Sequence, residues 1–172
     1  MSDTEPTTPP QERQIEIKQQ NRRSLMMRIA PSGDLVVLIP HWVKPESQQV
    51  QHFIADALTK LGSYLPATKP TANYDSESIR ALVQTWASRM GVKPKRVQMR
   101  TMYRKWGSCS SRGTITLNTA LYYLPEHLVE YVIVHELAHM FVFDHSPAFW
   151  AKVGEYLTDY KALESELDQY RV

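Results

Sequence analysis

A single cysteine, Cys109, stands in a chain of 172 residues. That scarcity excludes a disulfide framework and favours a reducing compartment. No apolar run approaches the roughly 20 residues that a membrane-spanning helix needs. The opening Met1-Ser-Asp-Thr-Glu5 lacks the basic-then-apolar pattern of a signal peptide. A cytoplasmic protein with no membrane partner is therefore expected. No internal repeat is visible. Carboxylates are missing from the whole middle of the chain: residues 78–125 hold 9 Lys+Arg and no Asp or Glu, whereas 1–77 hold 8 and 9, and 126–172 hold 3 and 9. The acid-free segment suggests a basic surface and the acidic final third suggests solvated helices.

What is present is enough apolar material, 42% of residues, for one core of ordinary size. Residues 1–13 begin MSDTEPTTPPQE, Pro/Thr-rich and almost without large apolar groups, and read as a flexible tail that cannot repay the entropy of ordering. Residues 14–172 read as one domain. Within it, 14–44 carry short strands (14–18, 24–30 and 35–39) separated by the turn Pro31-Ser-Gly-Asp34, which suggests an antiparallel sheet. Residues 45–91 carry two helices. The first opens at Pro45-Glu46, places Val50, Phe53, Ile54, Ala57, Leu58 and Leu61 on one face, and stops at Gly62. A Pro/Thr-rich connector (65–72) leads to the second, which starts at Ser76 and is stopped by Gly91 and Pro94. Residues 92–172 read as strands 97–102 and 114–117 flanking a loop, 105–113, and then three helices separated near Phe143 and Thr158.

The chemistry lies in the helix from 125 to about 141, which contains His135-Glu136-Leu137-Ala138-His139. Two histidines four residues apart share one helical face, so both imidazoles reach one metal ion. Glu136, offset by about 100°, is placed to hydrogen-bond a water on that metal, the position of a general base. Chance produces HExxH in a chain of this length at only about the half-per-cent level. Val129, Val132, Ile133, Leu137, Met140 and Phe141 make the helix strongly apolar. A charged glutamate buried there would be costly without a partner or a metal.

A catalytic divalent ion takes three protein ligands and leaves a position for water. His145 is the natural third, provided the helix ends first, because six further helical residues would carry it about 240° away. Asp144-His145-Ser146-Pro147 supplies that ending, with Ser as N-cap and Pro at the first position of a new helix. Glu155, on the following helix, is the competing third ligand. Asp144 reads either as a partner orienting an imidazole or as a solvated loop carboxylate.

The stretch HELAHMFVFDHSPAFW, together with the upstream KWGSCSSRGTITLN, resembles the YgjP-like family of small zinc metallopeptidases, related to the SprT-like and WLM families. The resemblance covers about residues 76–160 well. It implies one zinc per chain held by His135, His139 and His145, Glu136 as catalytic base, and a peptide or protein substrate. Metzincins share the histidine spacing but carry Gly where this chain has Val142, and a later Met-turn that is missing here.

In zinc peptidases generally an edge strand beside the metal pairs with extended substrate. The best candidate is Thr114 to Asn118, giving Thr114, Thr116 and Asn118, with Arg112 and Tyr103 nearby, as substrate-binding candidates; an interior strand is the alternative. Tyr103, Arg112 and His127 are candidate oxyanion donors. His127, His41 and His52 otherwise read as structural or surface residues, Trp106 and Trp150 as core, and Cys109 as an inert loop position unless it closes the zinc site. The basic segment 89–112 leaves nucleic-acid contact open. The expected whole is an α+β, zincin-like single domain that hydrolyses peptide bonds. Its rivals are a metal-dependent nucleotide phosphohydrolase and a nucleic-acid-associated protein with a structural zinc.

Overall fold

The computed structural model describes residues 13–61 and 70–170. The N-terminal tail to residue 12, the Gly62 stop and most of the 65–72 connector lie outside the described residues. The chain divides into two compact units, Met1–Thr71 and Ala72–Val172, and the α+β class expected from the sequence is what both contain. No helix among the described residues is long and apolar enough to cross a membrane.

In the first unit β1 (Ile15–Gln20), β2 (Met26–Ile29) and β3 (Leu35–Pro40) form a sheet in the order β1-β3-β2, and α1 spans Gln48–Leu61. The run Leu-Val-Val-Leu-Ile makes β3 the central strand, buried along both faces. The turn between β2 and β3 closes with Gly33 at φ 78° and an Ala30 N–H to Asp34 O bond of 2.7 Å, which fixes that pair as antiparallel. The sheet is nonetheless mixed and not wholly antiparallel as the sequence suggested. β3 inserts between β1 and β2 and runs parallel to β1, with Ile17 opposite Val37. Val37 and Ile39 pack on Val50 and Ile54 of α1.

The second unit begins with α2, Ser76–Met90. Asp75 caps it by accepting from the Glu77 and Ser78 N–H groups, and Gly91, at φ 69°, ends it in the left-handed conformation. The strands β4 (Arg96–Arg100), β5 (Gly107–Cys109) and β6 (Thr114–Asn118) form a second mixed sheet in the order β4-β6-β5. A 3-10 turn at Thr119–Tyr123 leads to α3 (Glu126–Ala138), α4 (Pro147–Gly154) and α5 (Tyr160–Leu167). Helix α3 is apolar almost all round and sits at the centre of the core. Around it lie Ile79, Val83 and Trp86 of α2, Ile115 and Leu117 of β6, Phe149 and Val153 of α4, and Leu163 and Leu167 of α5. Full burial of a side chain such as Ile133 or Leu137 contributes about 1.5–3 kcal/mol, and both are 0% exposed.

Two expectations for this unit are corrected. Residues 105–113 are not all loop, because Gly107–Cys109 pairs antiparallel with β6. Strand β6 is therefore interior, held by β4 on one side and β5 on the other. Its backbone has no free edge for a substrate, whereas β5 pairs on one side only among the described strands.

Candidate metal centre

Helix α3 ends two to three residues earlier than the apolar pattern suggested. The chain turns tightly from His139, with Met140, Phe141 and Val142 N–H groups bonding back to Leu137 and Ala138 carbonyls. Ser146 and Pro147 then start α4. This elbow returns His145 to the face that carries His135 and His139, and one ring nitrogen from each lies within 4.8 Å of the others. His135 Nε2 and His145 Nε2 face one another at 3.0 Å. Nitrogens around a tetrahedral zinc are about 3.3 Å apart, so the cluster has the size of a metal site. His139 Nδ1–H donates to the Val142 carbonyl at 3.1 Å, which fixes the tautomer and leaves the Nε2 lone pair bare for a metal.

Phe149 forms the floor. Its ring, 0% exposed, stacks on His139 at 4.5 Å between centroids and meets His135 and His145 edge-on at 4.9 and 4.7 Å. Trp150 lies 5.8 Å from both His135 and His145 and stacks on Tyr160. Burial, followed by the neighbouring His139 and His145, pushes the His135 imidazolium down to about 3. It is therefore neutral under ordinary conditions, the form that binds a metal.

Glu136 lies beside this cluster, 5% exposed, and its Oε2 is buried with no hydrogen-bond partner among the described residues. Burial pushes its carboxyl up to about 8, and the Lys105 charge acts in the opposite direction. A cation held by the three histidines would act in the same sense as Lys105. Such an orphaned acid is destabilising on packing grounds alone and fits a metal site, where its free oxygen has work. The first residue of β5 makes the space for it. A Cβ on Gly107 would lie 2.5 Å from Glu136 Oε1 and 2.6 Å from its Cγ, so any side chain at 107 displaces the acid.

The cluster opens into a cavity of about 470 Å³ lined by Glu136 and the three histidines, by Lys105, Trp106 and all of β5, and by Tyr131, Val132, Phe143, Glu164, Leu167 and Asp168. The other sequence-derived candidates lie elsewhere. Tyr103, Arg112, Thr114, Thr116 and Asn118 are not among the lining residues. Asn118 is 1% exposed and uses all its capacity internally, donating to the Met102 and Lys105 carbonyls and accepting from the Met102 and Ala120 N–H groups. It pins the 102–105 loop and has nothing left for a substrate. Thr116 Oγ1 accepts from Gln98 Nε2.

His127 pairs with Glu166 at 2.9 Å, as a surface residue would. Glu155 pairs with Lys152 at 2.6 Å and does not line the cavity. Asp144 accepts from the Ser146 N–H and forms no hydrogen bond to an imidazole among the described residues. His41 and His52 are exposed and join no group of metal-ligating side chains. Cys109 lines the cavity, half-buried, and burial raises its thiol above the ordinary value. Of the basic segment 89–112, Arg89 lies over the Trp86 ring and Lys105 lines the cavity; no observation supports nucleic-acid contact.

Reasoning from sequence missed Gly107, Lys105 and Tyr131. Tyr131 carried a readable signal, since it precedes His135 by four residues and so shares its helical face. For Gly107 no local signal exists, because its constraint is a contact made across the fold.

Two crystal structures are similar over about half of this chain. The metallopeptidase zymogen of Pyrococcus abyssi abylysin is 27% identical, over 52% of this chain and 90% of its own, with a TM-score of 0.48. The metallopeptidase zymogen of Methanocaldococcus jannaschii jannalysin is 22% identical, over 53% and 94%, with a TM-score of 0.48. None of the curated proteins matches. The model of the YgjP-like metallopeptidase domain matches residues 69–170, more than half of the sequence and all of the elements that build the histidine cluster, its floor and its cavity. By that match the chain belongs to the YgjP-like metallopeptidase family.

Proposed function

We propose that this chain is a zinc-dependent peptidase of the HExxH-x5-H type, with one zinc per chain held by His135, His139 and His145. The observation that carries the reading is the buried Oε2 of Glu136, without a partner among the described residues, beside three converging imidazole nitrogens. Zinc, when bound there, supplies a Lewis acid that acidifies water and polarises a carbonyl. Glu136 takes the proton of the attacking water at its carboxylate and returns it to the leaving amine. His139 is held by its Nδ1 bond to Val142, and the Phe149 ring packs on the imidazoles, so both contacts orient the residues that would hold the ion. His145, and not Glu155, completes the set, because Glu155 is engaged with Lys152 away from the cavity.

The substrate is an extended peptide segment. Strand β5 ends its sheet and lines the cavity, so its free edge offers backbone groups for strand addition next to Glu136. Two carboxylates in the cavity wall, Glu164 and Asp168, face only one lining cation, Lys105, which argues against a nucleotide's phosphates. In Glu136→Gln, zinc stays bound while cleavage of an unfolded protein substrate falls by about 10²–10⁴-fold. Elemental analysis and gel-based digestion of the same samples check both halves. Unchanged cleavage in the variant would remove the base from Glu136.

A further inference from the structure

The wall of the cavity facing α5 has no part in the chemistry above. Tyr131 is 3% exposed, lines the cavity, and its hydroxyl makes no hydrogen bond to any described residue. The phenolic oxygen is not among the buried unpartnered atoms, so it is open to the cavity, where a ligand or water can complete it. Glu164 of α5 and Asp168, which caps its C-terminus, line the same cavity four residues apart, both exposed, and neither forms an ion pair among the described residues. Burial first, then the Glu164 and Asp168 charges, hold the Tyr131 phenol above its ordinary value. Val132 and Leu167, 3% and 8% exposed, line the cavity beside them. A divalent ion does not fit this wall. Among the described residues the three histidines alone gather three metal-ligating side chains, and a phenol with two exposed carboxylates supplies no third acid.

Apolar surface for a stem, a phenolic oxygen, and two carboxylates with no ion pair among the described residues together match a long cationic group. We propose that Tyr131, Glu164 and Asp168 form a subsite for an organic cation of the substrate, an ammonium or guanidinium on a residue adjacent to the bond cut. The proposal rests on the peptidase reading for the identity of the substrate, but the wall's preference for a cation is separable from turnover. Lysine and arginine side chains are the principal source of that cation, and a free peptide N-terminus is the other.

The test uses the full chain carrying Glu136→Gln and loaded with zinc. Its ligands are N-acetylated, C-amidated decapeptides in which one lysine, arginine, norleucine or glutamate is moved from position to position. Calorimetry reads affinity. At one position lysine and arginine bind about tenfold more tightly than norleucine, the worth of one charge-assisted contact. Glu164→Gln with Asp168→Asn brings the ratio to within about twofold, and Glu164→Lys with Asp168→Lys turns the preference toward glutamate. The norleucine peptides without acetylation form a separate arm. A gain confined to that arm assigns the subsite to a chain N-terminus and keeps the cation.

Equal or undetectable binding of lysine and norleucine peptides at every position, acetylated or free, overturns the proposal. The same holds for a preference that survives both double variants. Digestion of the peptides by the unsubstituted chain separates the two readings. Cleavage with no preference for a cation sinks the subsite and leaves the peptidase, whereas cation-selective binding without cleavage of any peptide does the reverse.

Discussion

In each unit the first strand runs parallel to the third and the second runs antiparallel to it, giving the orders β1-β3-β2 and β4-β6-β5. The shared plan carries different side chains. In the first sheet the second strand reads Met-Met-Arg-Ile, and the central strand is buried along both faces by apolar neighbours. In the second sheet the second strand shrinks to Gly-Ser-Cys, and the space that a side chain at 107 would occupy holds Glu136. One sheet is arranged for packing, whereas the other gives up packing at one residue to admit an acid. The difference teaches where function enters a small α+β topology: at the shortest strand, through the absence of a side chain.

This contrast can be broken by substitution. The largest effect on stability belongs to the packed sheet. Ile39→Ala removes a 0%-exposed side chain and costs about 2–5 kcal/mol in denaturant unfolding. Zinc content per folded chain does not change, and loss of zinc with the fold intact would mean the first unit has a part in the site.

A smaller loss of stability and a sharper loss of activity follow from Gly107→Ala. Overpacking costs about 1–3 kcal/mol, and the forced shift of Glu136 lowers kcat by about 100-fold, the scale of an ångström-level misplacement. Gly33→Ala, at φ 78° in the β2–β3 turn, is the matched control. It costs about 1–2 kcal/mol of backbone strain and leaves kcat unchanged. Equal effects of the two on kcat would show that Gly107 serves only the backbone.

The last effect on stability has the opposite sign. Glu136→Met replaces a carboxyl whose buried Oε2 has no hydrogen-bond partner among the described residues with an apolar group of similar length, and the metal-free protein gains about 1–3 kcal/mol while activity is abolished. Thermal melts of the two metal-free proteins compare them directly. A less stable variant would mean the acid has a structural partner.

Much of this was legible in the sequence, for reasons that can be stated. Helix α2 announced both ends because its signals are local, a capping Asp75 and a left-handed Gly91. The histidines were legible because i, i+4 spacing fixes a face, and because Ser146-Pro147 marks the break that returns His145 to it. Strand β5 was not legible. Three small residues carry neither alternation nor β-propensity, and only pairing with β6 makes them a strand. The edge reading of β6, offered with an interior strand as its alternative, followed directly, and with it the candidacy of Thr114, Thr116 and Asn118 for substrate. The parallel pairing of β1 with β3 was hidden likewise, since short strands joined by turns read as hairpins until a third inserts between them. Tyr131 was within reach of the same helical spacing that found His139. Glu164 and Asp168 were not, because nothing local tells which face of an acidic helix meets a cavity.

The central claim is that three histidines, and no carboxylate ligand, hold a catalytic metal beside Glu136. Its most direct test is zinc per chain by elemental analysis in the unsubstituted protein, His145→Ala and Glu155→Ala, each reconstituted with zinc and dialysed. One zinc in the first and third, and none retained in the second, is the predicted result. Zinc retained in His145→Ala but lost in Glu155→Ala would contradict the account, as would an unsubstituted protein that holds none.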